Sequence, residues 1–425
     1  MKQFVCLMFG FFFCVSIYAQ DLEYARAQID TLASEAMHGR GYVNRGDRIA
    51  ADYLEEQLQK HGLEKVEGSY RQHYSFPVNT FPGTMKMIAG DKLMRPGYDF
   101  QVKAYSKGLK DTLKTIELKQ AHLQSADKLR ELQQRDLEGY LMVIDPEEFR
   151  EEFREEIPSI VYVNFFGASG YIVLQNREKL IWGVSGSENP AGHPVLEVLA
   201  SQWNNAQQVI LDIENEYINQ YRTSNVYGYV PGTEHPDSFV LVVAHYDHLG
   251  RMGKNTCYCG AHDNASGTGM TLDLARYFAG SENRPAHSLM FVFFSGEEAG
   301  LHGSSYFAEH PPVELDKIKF VLNLDLIGSG SKGIGVVNGK VFKPQFELLK
   351  QINEKNQYIA DTKKRGESSN SDHYPFHKNG VSSFFFYTMG DEYQEYHTPE
   401  DRSDGLPLTA YEGLFRLIRD YVREI

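Results

Sequence analysis

Four short segments in the second half of the chain are almost entirely apolar, and they constrain the fold more than any other feature. Each has the length of a strand, and none alternates between apolar and polar residues, which is typical of strands buried on both faces of a sheet. Apolar residues at helical spacing in 267–278 predict a helix between the first two segments. The segments are Phe239–Ala244, Leu289–Phe294, Phe320–Leu324 and Ser383–Tyr387.

The order of strand, helix and strand predicts an α/β fold with a mostly parallel (mixed) sheet and helices on both faces. Helical spacing also predicts two amphipathic helices near the start, in 22–37 and 48–61. The chain has 425 residues, more than a typical domain of roughly 100–200 residues. Residues 82–204 differ in character, with short alternating strands and turn-rich pieces, and we interpret them as an inserted smaller β-rich domain. Residues 20–81 and 205–425 then form the main domain.

The first 19 residues have the pattern of a secretory signal peptide, with one lysine, an apolar run and small residues near Ala19. A membrane anchor is the alternative, but the apolar stretch 4–19 is shorter than the roughly 20 residues that span a bilayer. We therefore expect leader cleavage and export to a periplasmic or extracellular location. The formal net charge of −14 argues against nucleic acid and, after leader cleavage, against an anionic membrane as partners.

Two of the four cysteines belong to the predicted leader, which leaves Cys257 and Cys259 in the remainder of the chain. In an oxidising compartment this pair can close a small disulfide ring, stay reduced, or bind metal. The sequence offers no third thiol for a four-ligand zinc site, so a disulfide is favoured.

Polar side chains directly follow three of the predicted strands. His245 and Asp247 follow the first, Glu297 and Glu298 follow the second, and Asp325 follows the third. Each alone has an ordinary explanation, such as a helix N-terminus or a surface loop. Ligands of open α/β sheets bind beyond the carboxyl ends of the strands, however, and the coincidence at three strand ends predicts a metal site there.

Imidazole and carboxylate groups are good zinc ligands, and a pair of ions needs a carboxylate that can bridge them. Asp263, in the glycine-rich loop 260–267, is the candidate bridge. Asp247 can orient His245 by accepting its second N–H. Of the adjacent glutamates, we assign Glu298 as a metal ligand and Glu297 as the general acid/base.

The residues around these positions carry a resemblance to a known family. Together they resemble the co-catalytic di-zinc aminopeptidases, whose relatives include glutamate carboxypeptidases and glutaminyl cyclases. The match covers essentially all of 223–425, and the opening LASEAMHGRGYVNRGDRIAADYLEEQL is similar to the first helices of that family. The matching segments are, in order, AHYDH, GAHDNASGTG, FFSGEEAGLHGSSYF, NLDLIG, SDHYPF and EYHTPED.

The resemblance implies two Zn²⁺ ions per chain, one bound by His245 and Asp325, the other by Glu298 and His397, with Asp263 between them. The assignment of His397 depends on the resemblance alone, because a histidine in a loop is usually a surface residue. Catalytic roles follow for Glu297, as the general base toward a metal-activated water, and for Asp247, as the orienting carboxylate. The 82–204 insertion, with LEGYLMVIDP and FFGASGYIVLQN, is similar to a protease-associated domain.

These implications describe a secreted zinc-dependent exopeptidase, an aminopeptidase that hydrolyses N-terminal residues of peptides. The alternatives are a carboxypeptidase or dipeptidase on the same scaffold, a glutaminyl cyclase-like acyl transferase with a single zinc, and a binding protein that has lost its ligands. The intact Asp263, Glu297 and Glu298 argue against the last of these. Three further histidines near the motifs, at 248, 262 and 373, are expected to point away from the site.

Overall fold

A computed structural model describes residues 21–186 and 189–425. The predicted signal peptide lies outside the described residues. The predicted buried strands form the centre of an eight-stranded main sheet, which is mixed. In spatial order its strands are Arg71–Thr80, Glu216–Val230, His287–Phe294, His235–His245, Ile318–Leu324, Ser383–Thr388, Ile334–Val337 and Thr362–Lys364.

The four central strands, from His287–Phe294 to Ser383–Thr388 in that order, run parallel to one another. Their side chains divide between two apolar layers. Along the His235–His245 strand, Val240 and Val242 face a cluster that includes both N-terminal helices, whereas Leu241 and Val243 face a second cluster on the other side. Helices therefore cover both faces of the sheet, which confirms the predicted fold class and explains why these strands lack polar residues.

The α-helices are distributed over both parts of the chain. The helix predicted for 267–278 is confirmed, and that predicted for 48–61 begins and ends within two residues of its expected limits. The helix predicted for 22–37 ends earlier, at Leu32, because the backbone becomes extended at Ser34 and a separate 3-10 helix, Glu35–Arg40, follows. The helices are Leu22–Leu32, Gly46–Lys60, Gln120–Leu123, Ala126–Gln133, Glu151–Arg154, Ile157–Tyr162, Ser266–Ala279, His302–Glu309, Lys343–Asn356, His373–Lys378 and Tyr411–Glu424.

A second eight-stranded sheet is formed by residues between the Arg71–Thr80 and Glu216–Val230 strands. Apolar clusters cover both of its faces. Its last strand in the chain, Gln208–Ile213, lies beyond 204, the predicted end of the insertion. The strands in spatial order are Lys92–Met94, Met85–Ala89, Gln208–Ile213, Leu109–Glu117, Tyr140–Ile144, Gly170–Gln175, Val195–Leu199 and Phe100–Val102, and a separate hairpin joins Gly250–Met252 to Thr256–Tyr258.

Within the described part of the chain, no helix has the length and apolar character required to cross a membrane.

Candidate metal centre

The predicted site residues lie at the carboxyl edge of the main sheet. His245 is the last residue of its strand, and Asp325 directly follows the Ile318–Leu324 strand. Glu297 and Glu298 follow the His287–Phe294 strand by a turn through Ser295 and Gly296. Because these strands are parallel neighbours, their ends meet at one edge, as the sequence predicted.

Asp263 lies at the centre of the cluster and contacts two histidines that are distant in sequence. Its Oδ1 is 3.3 Å from His245 Nε2, and its Oδ2 is 3.0 Å from His397 Nε2. On the outer sides, His245 Nε2 is 3.3 Å from Asp325 Oδ1, and His397 Nε2 is 3.2 Å from Glu298 Oε2. The structure thus brings the five predicted ligand side chains together as two half-sites with one shared carboxylate.

The second ring nitrogen of each histidine has its own acceptor. His245 Nδ1 donates to the backbone carbonyl of Asp247 at 3.1 Å, and His397 Nδ1 donates to the carbonyl of Trp182 at 2.8 Å. In each ring this leaves Nε2 facing the carboxylates, and it is the nitrogen that would bind a metal ion in place of a proton. Both histidines therefore have the tautomer that a metal ligand requires.

The contact of Asp247 with His245 differs from the expected one. The Asp247 carboxylate lies 3.8 Å from His245 Nδ1, beyond hydrogen-bond distance, and the carbonyl of Asp247 takes its place. The reason is that two other donors hold the carboxylate: the Tyr42 hydroxyl at 2.7 Å and the backbone N–H of Glu297 at 3.2 Å. Asp247 thus connects the His245 strand end to the turn that carries Glu297.

Glu297 lies in the half-site of His245 and Asp325, and these three residues form one group of possible metal ligands. Burial raises the pKa of its carboxyl well above the usual range, and the nearby carboxylates of Glu298 and Asp372 act in the same direction, against the opposing effect of His245. A carboxyl with a raised affinity for protons, next to the cluster, has the property required of a general base.

His248 was expected to point away from the site, but the structure places it inside. It is buried, its Nδ1 lies 2.7 Å from Glu298 Oε1, and the other oxygen of Glu298 faces His397. The sequence alone gave no reason to prefer His248 to its neighbours. His262, by contrast, accepts a hydrogen bond from the Gly328 N–H through its Nδ1.

Ser371 is a second residue whose role could not be deduced from the sequence. Its hydroxyl donates to Asp325 Oδ2 at 2.8 Å and accepts from the side-chain amide of Asn323 at the same distance. One oxygen of Asp325 is thus held by the serine while the other faces His245. The neighbouring His373 is buried and stacks obliquely on Phe385, outside the cluster.

The backbone that carries these ligands is held by Arg40, which is fully buried. All five of its N–H donors reach backbone carbonyls. Two of these carbonyls belong to Tyr246, next to His245, and to Asp263 itself. The full set of acceptors is Tyr246, Leu32, Cys259, Gly260 and Asp263, at 2.6–3.3 Å.

The electrostatics of the cluster favour cations. Burial alone would raise the pKa of Asp263, but contacts with His245 and His397 outweigh it and bring that pKa well below the usual range. Burial would likewise raise the pKa of Glu298, but the charge of His397 contributes to lowering it to about 2. Against the opposing effect of burial, Glu297, Asp325 and Asp263 raise the pKa of His245 well above the ordinary value. Glu298 and Asp263 do the same for the pKa of His397.

The donor set fits two zinc ions. Ligand atoms at about 2.0–2.1 Å from one tetrahedral ion lie roughly 3.3–3.4 Å apart, close to the 3.0–3.3 Å between the facing atoms here. His248 belongs to the same group of possible ligands as Asp263, Glu298 and His397, and its Nδ1 faces Glu298 Oε1 at 2.7 Å. Two metal ions would also compensate the buried carboxylates, which are costly without cations.

The cysteine pair does not form the expected disulfide. Cys257 and Cys259 are buried free thiols whose Sγ atoms are 3.1 Å apart, well beyond a disulfide bond of about 2.05 Å. Glu35 lies close enough to complete a set of three possible metal ligands. Its carboxylate already pairs with the guanidinium groups of Arg251 and Arg402, however, which opposes a cation at this position.

An α/β sheet with histidine and carboxylate side chains clustered beyond its parallel strand ends, and with a buried glutamate beside them, is typical of a metallopeptidase domain. Peptidase family M28 matches residues 225–422, which include the whole cluster. This segment of the chain therefore belongs to peptidase family M28.

Individual relatives agree with this placement. The chain is 30% identical over 249 residues to "Aminopeptidase YwaD" of Bacillus subtilis, covering 55% of this chain and 52% of that protein. A "Probable zinc metalloprotease" of Pyricularia oryzae is 38% identical over 116 residues, which is 26% of this chain and 23% of that protein. The chain thus spans about half the length, or less, of these two relatives.

Two solved structures show the same fold over nearly the whole chain. A zinc aminopeptidase from Bacillus subtilis, BSAP, aligns with a TM-score of 0.71 at 20% identity, covering 96% of this chain and 95% of that one. An aminopeptidase from Aneurinibacillus sp. strain AM-1 aligns with a TM-score of 0.65 at 18% identity, covering 96% and 94%. At these identities the likeness shows the fold, including the second sheet.

Proposed function

We propose that this chain is a zinc-dependent aminopeptidase that removes N-terminal residues from peptides. The observation that carries the proposal is the position of Asp263, whose two oxygens face His245 and His397 in two half-sites. The names of the relatives support the aminopeptidase specificity. The export expected from the leader sequence belongs to the same proposal, with hydrolysis taking place outside the cytoplasm.

His245 and Asp325 would hold one zinc ion, His397 and Glu298 the other, and Asp263 both. When bound, the zinc ions act as Lewis acids that lower the pKa of a water and polarise the scissile carbonyl. Two half-sites with a shared carboxylate favour two ions, which is the count that separates this proposal from a single-zinc glutaminyl cyclase.

In this mechanism Glu297 moves the protons. Its carboxylate accepts a proton from the attacking water and then returns it to the nitrogen of the leaving amine, so that the proton count balances over one turnover. Its position is fixed through the backbone, since the Glu297 N–H donates to Asp247 Oδ1 and the Tyr42 hydroxyl holds the other oxygen of Asp247. Asp247 thus acts as a positioning residue for the general base.

Glu297→Gln tests the assignment, because the amide is nearly isosteric but cannot accept the proton. We expect two zinc ions per chain by metal analysis and a loss of kcat of about 10²–10⁴-fold. Glu298→Gln is the matched control: it should lower the zinc content as well as the activity. Wild-type turnover by a Glu297→Gln protein that contains two zinc ions would refute the role of Glu297.

The substrate class is tested with a short peptide library whose products are identified by mass. Stepwise loss of N-terminal residues supports an aminopeptidase. Release of C-terminal residues, or cleavage restricted to dipeptides, would contradict it. Cyclisation of N-terminal glutamine by a protein with one zinc ion would indicate the acyl transferase instead.

A further inference from the structure

The loop that carries His397 is bound by the segment that precedes the Val195–Leu199 strand of the second sheet. Two hydrogen bonds join Trp182 and His397: the Trp182 N–H donates to the carbonyl of His397 at 3.2 Å, and the ring Nδ1 of His397 donates to the carbonyl of Trp182 at 2.8 Å. Lys179 and Glu395 form an ion pair beside them. One metal half-site is therefore in direct contact with the part of the chain that forms the second sheet.

The carbonyl of Trp182 is itself held firmly. The indole Nε1–H donates to the carbonyl of Val102 at 2.8 Å, and the indole ring packs on Tyr258 with ring centroids 4.9 Å apart. Trp182 is only 6% exposed. The preceding carbonyl, that of Ile181, accepts from the side-chain amide of Gln101 at 2.8 Å. Both anchors, Gln101 and Val102, belong to the Phe100–Val102 edge strand of the second sheet.

The two half-sites differ in what holds the orientation of their histidines. His245 donates to a carbonyl only two residues away in its own loop, so its orientation is set locally. His397 has φ of 55°, in the left-handed region, and lies in a loop between the Ser383–Thr388 strand and the last helix. It depends on a carbonyl 215 residues away in sequence. A partner that fixes the tautomer and orientation of a ligating histidine typically contributes 10–100-fold in metal affinity.

We propose that Trp182 is a positioning residue through which the second sheet sets the zinc affinity of the half-site formed by His397 and Glu298. The half-site of His245 and Asp325 does not depend on it. The inserted part of the chain is then a component of the metal centre, in addition to any contact it makes with substrate. This inference rests on the proposed function, because it requires that the cluster bind zinc.

Trp182→Ala removes the indole hydrogen bond to Val102 and the packing on Tyr258, and it leaves every proposed ligand in place. Trp203→Ala is the matched control, since Trp203 is the second of only two tryptophans and packs on the same core of the second sheet. The full-length metal-free protein is titrated with Zn²⁺ alone against a competing chelator. For Trp182→Ala we expect one Zn²⁺ ion to bind with unchanged affinity and the other to bind about 10–100-fold more weakly. Trp203→Ala should match the wild type.

A double-mutant cycle identifies the half-site. In a His397→Ala background, Trp182→Ala should leave the affinity of the remaining ion unchanged, whereas in a His245→Ala background it should weaken the remaining ion. Gln101→Ala removes the donor to the carbonyl of Ile181, together with a hydrogen bond to the Glu197 carboxylate, and should weaken the binding of the same ion to a smaller extent. It provides the test if Trp182→Ala does not fold by circular dichroism.

The inference is overturned if Trp182→Ala binds both Zn²⁺ ions with wild-type affinity. The same holds for Gln101→Ala if only that variant folds. Either result leaves the proposed function intact. Equal weakening by Trp203→Ala would also overturn it, because the effect would then be general to the second sheet. A wild-type protein that binds no zinc would instead refute the proposed function, so the two failures give different results.

Discussion

Replacing Arg40 by Met should destabilise the protein more than any exposed arginine substitution would. Arg40 is fully buried and its five N–H groups donate to five backbone carbonyls. Methionine has a similar length but no donor, so these carbonyls would lose their partner. Arg45→Met is the matched control, because Arg45 is exposed and both residues have positive φ, 51° and 61°.

The magnitude follows from the hydrogen bonds. A net contribution of about 0.5–1.5 kcal/mol for each of the five bonds amounts to several kcal/mol. Part of this is recovered, since burying the guanidinium is itself costly and water can reach some of the carbonyls. We therefore expect Arg40→Met to lower the free energy of unfolding by about 3–5 kcal/mol, a large share of the roughly 5–15 kcal/mol that stabilises a typical domain.

The assay is urea unfolding followed by far-ultraviolet circular dichroism, with metal-free protein so that zinc binding does not contribute. Arg45→Met should lie within about 0.5 kcal/mol of the wild type, as is usual for surface substitutions. If Arg40→Met unfolded within 1 kcal/mol of Arg45→Met, the reasoning would be refuted, because the five carbonyls would then be satisfied without the arginine.

Two further predictions concern other buried groups. Burial raises the pKa of Asp47 to about 6, against hydrogen bonds from Tyr221 and Thr223 that lower it. The folded state therefore binds this proton more tightly than the unfolded state. The contribution of Asp47 to stability is complete below about pH 4 and is lost as the pH rises through about 6. The free energy of unfolding of the metal-free wild type should fall by up to about 3 kcal/mol over this range relative to Asp47→Asn, and parallel pH profiles would contradict the assignment. Ser371→Ala removes the hydroxyl that holds Asp325 and should weaken zinc binding by about tenfold or more in a chelator competition; an unchanged affinity would show that the serine does not position this ligand.

Apolar runs and strand ends carried much of the site prediction. His245, Glu297, Glu298 and Asp325 lie at the ends of buried strands or within a short turn of them, so a short-range pattern places them at one edge of a parallel sheet. His397 lies in a loop with no such pattern, and only the family resemblance identified it.

The residues that hold the ligands were not predictable in the same way. His248 and His262 both neighbour proposed ligands, yet the first contacts Glu298 and the second accepts from a backbone N–H. Which of two such histidines turns inward is decided by packing around the loop, and local sequence does not encode it. Trp182 and Arg40 act over 215 and up to 223 residues of sequence separation, through backbone carbonyls that have no residue-type signature.

By itself, the sequence determined the α/β class, the central strands and the chemical types gathered at the edge of the sheet. The cause is physical: strands buried on both faces must be continuously apolar, and polar residues can resume only where those strands end. Only the tertiary structure decided that Asp263 faces both histidines, that Cys257 and Cys259 remain thiols, and that the second sheet reaches the metal centre through Trp182. These features depend on contacts between segments far apart in the chain, whose distances and directions are fixed only when the two sheets have packed.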